Sequence, residues 1–375
     1  MKSSLATLGA VSLTIFSLSA CAEESPSGGS DKNINVEATD SECEVSATKL
    51  DAGPLTFKVT NGGSKVTEFY VYAEGDRIMG EVENIGPGLS RNLVVDLPKG
   101  TYEGACKPGM AGDGIRQTLT VTGEPAKKLS DSEELKAAAK SYERYVASQA
   151  KALIEKTKEF VAAVKAGDVD EAKTLFPIAR TYWERIEPVA EIFGDLDPLT
   201  DGREPDAKAE GRDFTGWHRI EKQLWVENNT EGMDKYADQL LANIEEVVAQ
   251  SEEKPLTALQ LAQGSKALLD EVATGKITGE EDRYSHTDLW DFKANVEGSQ
   301  GAVAALRPVI DEKDPTLGPV LDERFAAVDA LLEEYRVGDG YKLYTELAED
   351  DTRRMAEAVD ALGEPVSQVA AVVTS

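Results

Sequence analysis

A chain of 375 residues with 40 Lys and Arg against 69 Asp and Glu carries a formal charge of −29, and its pI lies near 4.5. That balance excludes a nucleic-acid binder, which needs a basic surface to meet phosphate. With 41% hydrophobic residues the chain has the apolar material for a real core, and its length suggests two or three domains rather than a disordered acidic polymer.

The chain opens with Lys2 and an apolar stretch from Leu5 to Leu18, which is too short to span a bilayer and fits the core of a signal peptide. This stretch runs into Leu18-Ser19-Ala20-Cys21, a small-residue cleavage site directly before a cysteine, which resembles the bacterial lipobox. Residues 1–20 are therefore expected to be a signal peptide removed before Cys21, whose thiol takes a lipid. An ordinary secretory signal with an incidental cysteine is the alternative. Residues 21–33, with Ser25-Pro26-Ser27-Gly28-Gly29-Ser30, have flexible-linker composition. The folded part is expected in the cell envelope, anchored to the outer face of the cytoplasmic membrane or periplasmic. Cys43 and Cys106 then remain as an even pair in an oxidising compartment, where a disulfide is the default.

Residues 34–124 are rich in β-branched side chains and broken by turn signals such as Asn61-Gly62-Gly63, Glu74-Gly75-Asp76 and Gly86-Pro87-Gly88, which predicts an all-β sandwich or barrel. Glu68, Tyr70 and Tyr72 alternate onto one strand face, and Glu81 and Glu83 onto the next strand of a hairpin. Their oxygens are hard ligands suited to a ferric ion, so they form a possible second metal site; an exterior face of paired polar residues is the plainer reading. Cys106-Lys107-Pro108-Gly109-Met110 has the Cys and Met of a blue-copper loop, yet the domain has no histidine and the usual copper ligand set is missing.

After Gly123-Glu124-Pro125 the composition turns to Ala, Leu, Glu and Lys at helical spacing, so residues 125–375 are expected to form an all-α bundle of seven or eight helices. Ser130-Asp131-Ser132-Glu133 and Asp168-Val169-Asp170-Glu171 mark helix starts. One helix is expected to align Arg180, Glu184, Glu187 and Glu191 along a stripe, kinked at Pro188, and to lead into an acidic loop from Asp195 to Asp201. The next helix carries His218 and Glu221 at i and i+3, one of only two histidines beside a carboxylate about 5–6 Å away at Cβ. Together these residues would make a mixed nitrogen and oxygen metal site inside a bundle, or else a solvated stripe and a local His–carboxylate hydrogen bond. The other histidine, His286, precedes Asp288 and Asp291, which share a helical face; the three are candidate pocket residues. HExxH, GxSxG, Walker and GxGxxG patterns are absent, which argues against hydride- and phosphoryl-transfer enzymes.

The lipobox, the histidine-poor β segment and the strings Trp183-Glu184-Arg185-Ile186-Glu187-Pro188, Gly216-Trp217-His218-Arg219-Ile220-Glu221 and Tyr284-Ser285-His286-Thr287-Asp288-Leu289-Trp290 together resemble the EfeO iron-uptake component family. The resemblance covers essentially the whole chain after the signal segment. It implies a cupredoxin-like β domain followed by an imelysin-like helical domain, whose Gly-x-His-x-x-Glu motif is met by Gly216, His218 and Glu221. It also implies an extracytoplasmic protein that binds iron, ferrous or ferric, and passes it to a membrane iron permease beside a haem peroxidase; a transport component is expected rather than an enzyme, although imelysin-like domains carry a peptidase label and no recognisable peptidase dyad stands here. The expected helical-domain ligands are His218 and Glu221 with Glu184, Glu187 or Asp201, while copper or another divalent metal is possible in the β domain. Two rivals stand beside this reading: an imelysin-type metallopeptidase, and an acidic polysaccharide receptor bridged by a divalent cation.

Overall fold

Continuous and alternating apolar runs in the first third of the chain give strands, and the later helical periodicity gives a bundle packed against them. The structure, a computed structural model, describes residues 33–73, 77–110, 112, 114–123, 132–209 and 211–374. The signal peptide, Cys21, most of the linker and the Glu74–Asp76 turn lie outside the described residues.

The β domain has strands β1 (Asn33–Ala38), β2 (Cys43–Val45), β3 (Lys49–Asp51), β4 (Gly53–Asn61), β5 (Thr67–Ala73), β6 (Arg77–Ile85), β7 (Ser90–Leu97), β8 (Gly100–Cys106) and β9 (Ile115–Thr122). They form a sheet in the order β2-β1-β4-β7 and another in the order β3-β9-β8-β5-β6, the sandwich that the turn spacing predicts. Strand β4 alternates between buried and more accessible positions, whereas β5, hydrogen-bonded on both sides, is buried along almost its full length. Phe57 and Val59 of the first sheet share one core with Phe69, Val71 and Leu119 of the second. Cys43 and Cys106 form the expected disulfide, which ties β2 in one sheet to β8 in the other.

The helical part runs α1 (Glu133–Ala166), α2 (Val169–Glu184), α3 (Leu196–Asp201), α4 (Glu204–Ala209), α5 (Gly216–Lys222), α6 (Asp234–Glu253), α7 (Ala258–Thr274), α8 (Asp288–Lys313), α9 (Leu317–Glu333) and α10 (Glu349–Thr374). Between α9 and α10 lies a small hairpin of β10 (Arg336–Val337) and β11 (Gly340–Tyr341). The described residues hold ten helices where the sequence suggests seven or eight: seven have sixteen residues or more, and the short α3 and α4 replace what reads as an acidic loop. The start of α1 is capped by Ser132 and that of α2 by Asp168, whose side chain accepts from the Glu171 amide at 3.1 Å. Helix α8 sits among α1, α2, α7, α9 and α10, so it is buried on several faces, and its Asp288, Asp291 and Asn295 are polar groups inside the core.

One expectation is corrected here: Arg180 to Glu191 do not lie on a single kinked helix. Helix α2 stops at Glu184, and residues Glu187–Phe193 form a 3-10 turn with Pro188 near its start. Proline has no N–H to continue the ladder and disfavours helical backbone in the residue before it. The break turns Glu191 away from Glu184 and toward Glu81 of β6. Helices α7 and α8 hold the break closely, since a Cβ on Gly264 or Gly298 would overlap the carbonyls of Pro188 and Arg185. Helix α7 also lies against β6 and β7, where Arg91 pairs with Asp270 and the Gln263 amide donates to the Val94 carbonyl.

The disulfide closes 63 residues of sequence separation, for which loop-closure entropy predicts stabilisation of about 4 kcal/mol. A Cys43→Ala/Cys106→Ala variant is expected to lose about 2–4 kcal/mol of β-domain stability in urea unfolding, with helical content by circular dichroism preserved before the transition.

Candidate metal centre

Two backbone contacts bring the site together before any side chain is considered. Gly216 opens α5 at φ +77, and a Cβ there would overlap the Thr200 carbonyl at the end of α3. The Thr215 hydroxyl donates to the Leu199 carbonyl at 2.8 Å. Asp201, the last residue of α3, thereby comes beside His218 in the first turn of α5.

His218 is 2% exposed and sits between two carboxylate pairs. Its Nδ1 lies 2.8 Å from Glu221 Oε2, and its Nε2 lies 3.3 Å from Asp201 Oδ1 and 3.6 Å from Glu281 Oε1. The other oxygen of Glu221 accepts from the amides of Tyr284 and Ser285 at 2.9 and 2.7 Å and from the Ser285 hydroxyl at 2.9 Å. Glu221 is thus fixed by the loop between α7 and α8 and in turn fixes the imidazole. Two three-donor sets converge among the described residues: Asp201, His218 and Glu281, and His218, Glu221 and Asp282, each with donor atoms within 4.8 Å of one another.

Around this histidine lie seven buried or nearly buried carboxylates, Glu184, Asp201, Glu221, Glu281, Asp282, Asp288 and Asp291. The permanent cations among them are Arg180 and Lys276, with Arg203 reaching Glu281 from the edge at 3.6 Å. Arg180 has no exposed side-chain surface and meets Glu184, Asp201, Glu281 at 3.2 Å, Asp282 at 3.4 Å and Asp291 at 3.1 Å. Lys276 binds Glu184 at 2.9 Å and Glu187 at 2.7 Å.

Burial pushes Asp282 and Asp291 well above the usual carboxylate range against the pull of Arg180, and brings Asp288 up to about 6. Asp201 and Glu281 go the other way. Burial raises both, but Arg180 and His218 outweigh it at Asp201, and Lys276, His218 and the arginines outweigh it at Glu281. For His218, burial and Arg180 favour the neutral ring, yet the carboxylates of Asp201, Glu221 and Glu281 around it hold it well above its ordinary value. The surrounding carboxylates thus favour the protonated imidazole, whose proton offsets part of the charge deficit.

His218 Nε2, Glu281 Oε2, Asp282 Oδ1, Asp288 Oδ2 and Asp291 Oδ1 are buried without a hydrogen-bond partner. Polar atoms buried in that state are costly, and a metal ion among nitrogen and oxygen donors is the kind of group that satisfies them. The residues therefore fit a cation.

The sequence-derived candidates are distributed unevenly. His218, Glu221 and Asp201 meet, and Asp288 and Asp291 join the same buried cluster through the Asp282 amide and Arg180. Glu184 and Glu187 are nearby but serve Arg180 and Lys276. His286 belongs to neither donor set; it is half-buried at φ +62, with its backbone tied to Asp282 and Tyr344. Glu281 and Asp282 were not singled out from the sequence, although they stand in the acidic run Glu280-Glu281-Asp282 just before the His286 string.

In the β domain Tyr70 donates to Glu83 at 2.9 Å and stacks on Tyr72, while the Lys107 ammonium lies 3.8 Å from the Tyr70 ring centre. Burial and the Glu83 charge push Glu68 up to about 7 against Lys107, and burial with Glu191 and Glu83 raises Glu81 well above its usual value. No three-donor set of His, Cys, Asp and Glu converges there among the described residues, and Cys106 is held in the disulfide. A blue-copper set does not fit this domain.

Residues 138–369 match the imelysin family, and residues 7–121 match the cupredoxin-like domain family. The chain is 39% identical over 345 residues to the iron uptake system component EfeO of Escherichia coli O157:H7, with 91% of each chain covered. It is 38% identical, over the same length and coverage, to the components of that name from Escherichia coli strain K12 and Shigella flexneri.

Replacing Gly216 by Ala is expected to cost at least ~2 kcal/mol in chemical unfolding, because the new Cβ meets a carbonyl in a backbone conformation that L-residues resist. Gly211, also at positive φ but with open space around its Cβ position, is the control, and its Ala variant should lose much less.

Proposed function

The chain belongs to the EfeO family of iron uptake system components, and on that premise we propose that it captures iron at the His218 cluster and passes it to a membrane iron permease. The observation that carries this reading is the orphaned His218 Nε2, buried between Asp201 and Glu281. Nε2, Asp201 and Glu281 are the ligands in this proposal. Glu221 holds Nδ1 and aims the ring, the arrangement in which a carboxylate behind a metal-bound histidine raises its basicity and fixes its tautomer. Imidazole and carboxylate donors accept ferrous and ferric iron alike. The strongly acidic composition favours accumulation of cations near the protein.

The chain is read as a binding component rather than an enzyme, because Asp201, Glu221 and Glu281 already serve Arg180, Lys276 or the loop backbone. The same carboxylates suit holding an ion more than activating a water. Lipidation at Cys21 would place the protein at the envelope membrane beside the permease and a haem peroxidase of the same system. The β-domain groups Glu68, Tyr70, Glu81 and Glu83 are not assigned iron here, since Lys107 supplies a countercharge near Glu68.

Iron titration of the chain from Ala22 onward, with folding matched by circular dichroism, tests the assignment. His218→Ala is expected to lose one equivalent of bound iron, whereas Glu221→Gln keeps that equivalent with an affinity about 10–100-fold lower. Because the ring must lose its proton to ligate, wild-type affinity should fall steadily from pH 7.5 to pH 5.5. A His218→Ala protein that binds the same number of ions would move iron away from this cluster.

A further inference from the structure

We propose that the Lys276 ammonium stands in a second cation position beside His218, and that it withdraws when a second metal ion enters there. The proposal deepens the iron-binding reading, but it takes from it only the location of the first ion.

Lys276 opens a 3-10 turn, Lys276–Thr278, directly after α7, and is 2% exposed. Its Nζ lies 2.9 Å from Glu184 Oε2, 2.8 and 2.7 Å from the two oxygens of Glu187, and 3.8 Å from Glu281 Oε2. Glu187 thus clasps it with both oxygens, as a bidentate carboxylate clasps a hard cation. Asn295 of α8 braces the walls by donating to Glu184 at 2.9 Å and Glu187 at 2.6 Å.

Two independent features point to a cation of higher charge than an ammonium. Glu281 Oε2, on a residue 3% exposed, makes no hydrogen bond, with Lys276 Nζ 3.8 Å and the Arg203 guanidinium 3.6 Å away. Glu184, Glu187 and Glu281 also surround the one ammonium; Glu184 and Glu281 share Arg180 as well, and Glu281 reaches Arg203, whereas Glu187 has both oxygens on Lys276. Glu281 faces both positions, with Oε1 toward His218 and Oε2 toward Lys276, so an ion at either position alters the charge felt at the other.

The two buried cations differ in what they can do. Arg180 is a planar fork locked onto five carboxylates, whereas a lysine ammonium is a point charge on a flexible four-carbon stem that can rotate away. Lys276 also lies on the connection between α7 and α8 that supplies Glu281 and Asp282.

The test compares the chain from Ala22 onward with its Lys276→Ala variant, using Mn²⁺ and Fe²⁺ as probes. Bound metal per chain is measured after equilibration, with thermal midpoints taken with and without metal. The variant is expected to bind one equivalent more than wild type under subsaturating second-site conditions, to melt lower in chelator, and to regain its midpoint with metal. The extra equivalent should persist in a Lys276→Ala/His218→Ala protein. If Lys276→Ala binds no additional ion, the ammonium is a structural pin and the proposal fails.

Wild-type protein supplies the readout should the variant not fold. Labelling with an amine-reactive reagent, read at Lys276 by peptide mass spectrometry, is expected to be slow in chelator and to accelerate once metal exceeds the first equivalent. Protection unchanged at saturating metal overturns the proposal. Should His218→Ala retain its own equivalent while Lys276→Ala still gains one, the first-site assignment fails and this one stands.

Discussion

One guanidinium without access to water organises the helical part of the protein. Arg180 joins Glu184 of its own helix to Asp201 of α3, Glu281 and Asp282 of the loop before α8, and Asp291 of α8. Taking such ions out of water costs several kcal/mol each, so this centre is weak evidence for stability and strong evidence for imposed geometry. The stabilising work falls to the aromatic shell of Phe160, Phe176, Trp183, Trp217 and Phe193, most of it with no exposure at all. Polar centre and apolar shell divide the labour between placing carboxylates and holding the helices that carry them.

The centre is overdrawn in negative charge, and protons make up the difference where cations do not reach. Asp282 and Asp291 keep theirs because burial outweighs Arg180, while Asp201 and Glu281 stay ionised because Arg180, Lys276 and the imidazolium lie beside them. A metal ion entering such a cluster exchanges with protons rather than adding to a neutral site. The same logic operates more weakly in the β domain, where Glu68 and Glu81 are raised by burial and by neighbouring carboxylates.

Much of this was legible in the sequence. Turn spacing and β-branched runs announced the sandwich, the cysteine count announced the disulfide, and the i, i+3 spacing of His218 and Glu221 announced their contact. The break after Glu184 is not legible there: a helical stripe drawn through Pro188 treats proline as a kink, whereas the loss of its N–H ends the helix and sends Glu191 toward the β domain. Glu281 and Asp282 escaped notice for a different reason. In a chain with 69 acidic residues an acidic run carries little information until the fold shows which of its members is buried. Lys276 was invisible on the same ground, since nothing in Thr274-Gly275-Lys276-Ile277 distinguishes a buried ammonium from a solvated one.

The bonds to Glu221 carry a kinetic meaning. Its outer oxygen is capped by the Tyr284 and Ser285 amides, and Ser285 continues through Thr287 to Asp282 on the same short segment. Orientation of the imidazole and closure of residues 281–287 are therefore one equilibrium. Under the proposed assignment, the release of an ion from Nε2 would be coupled to how often residues 281–287 let go of a single carboxylate. A partner able to engage that stretch would control discharge without touching a ligand.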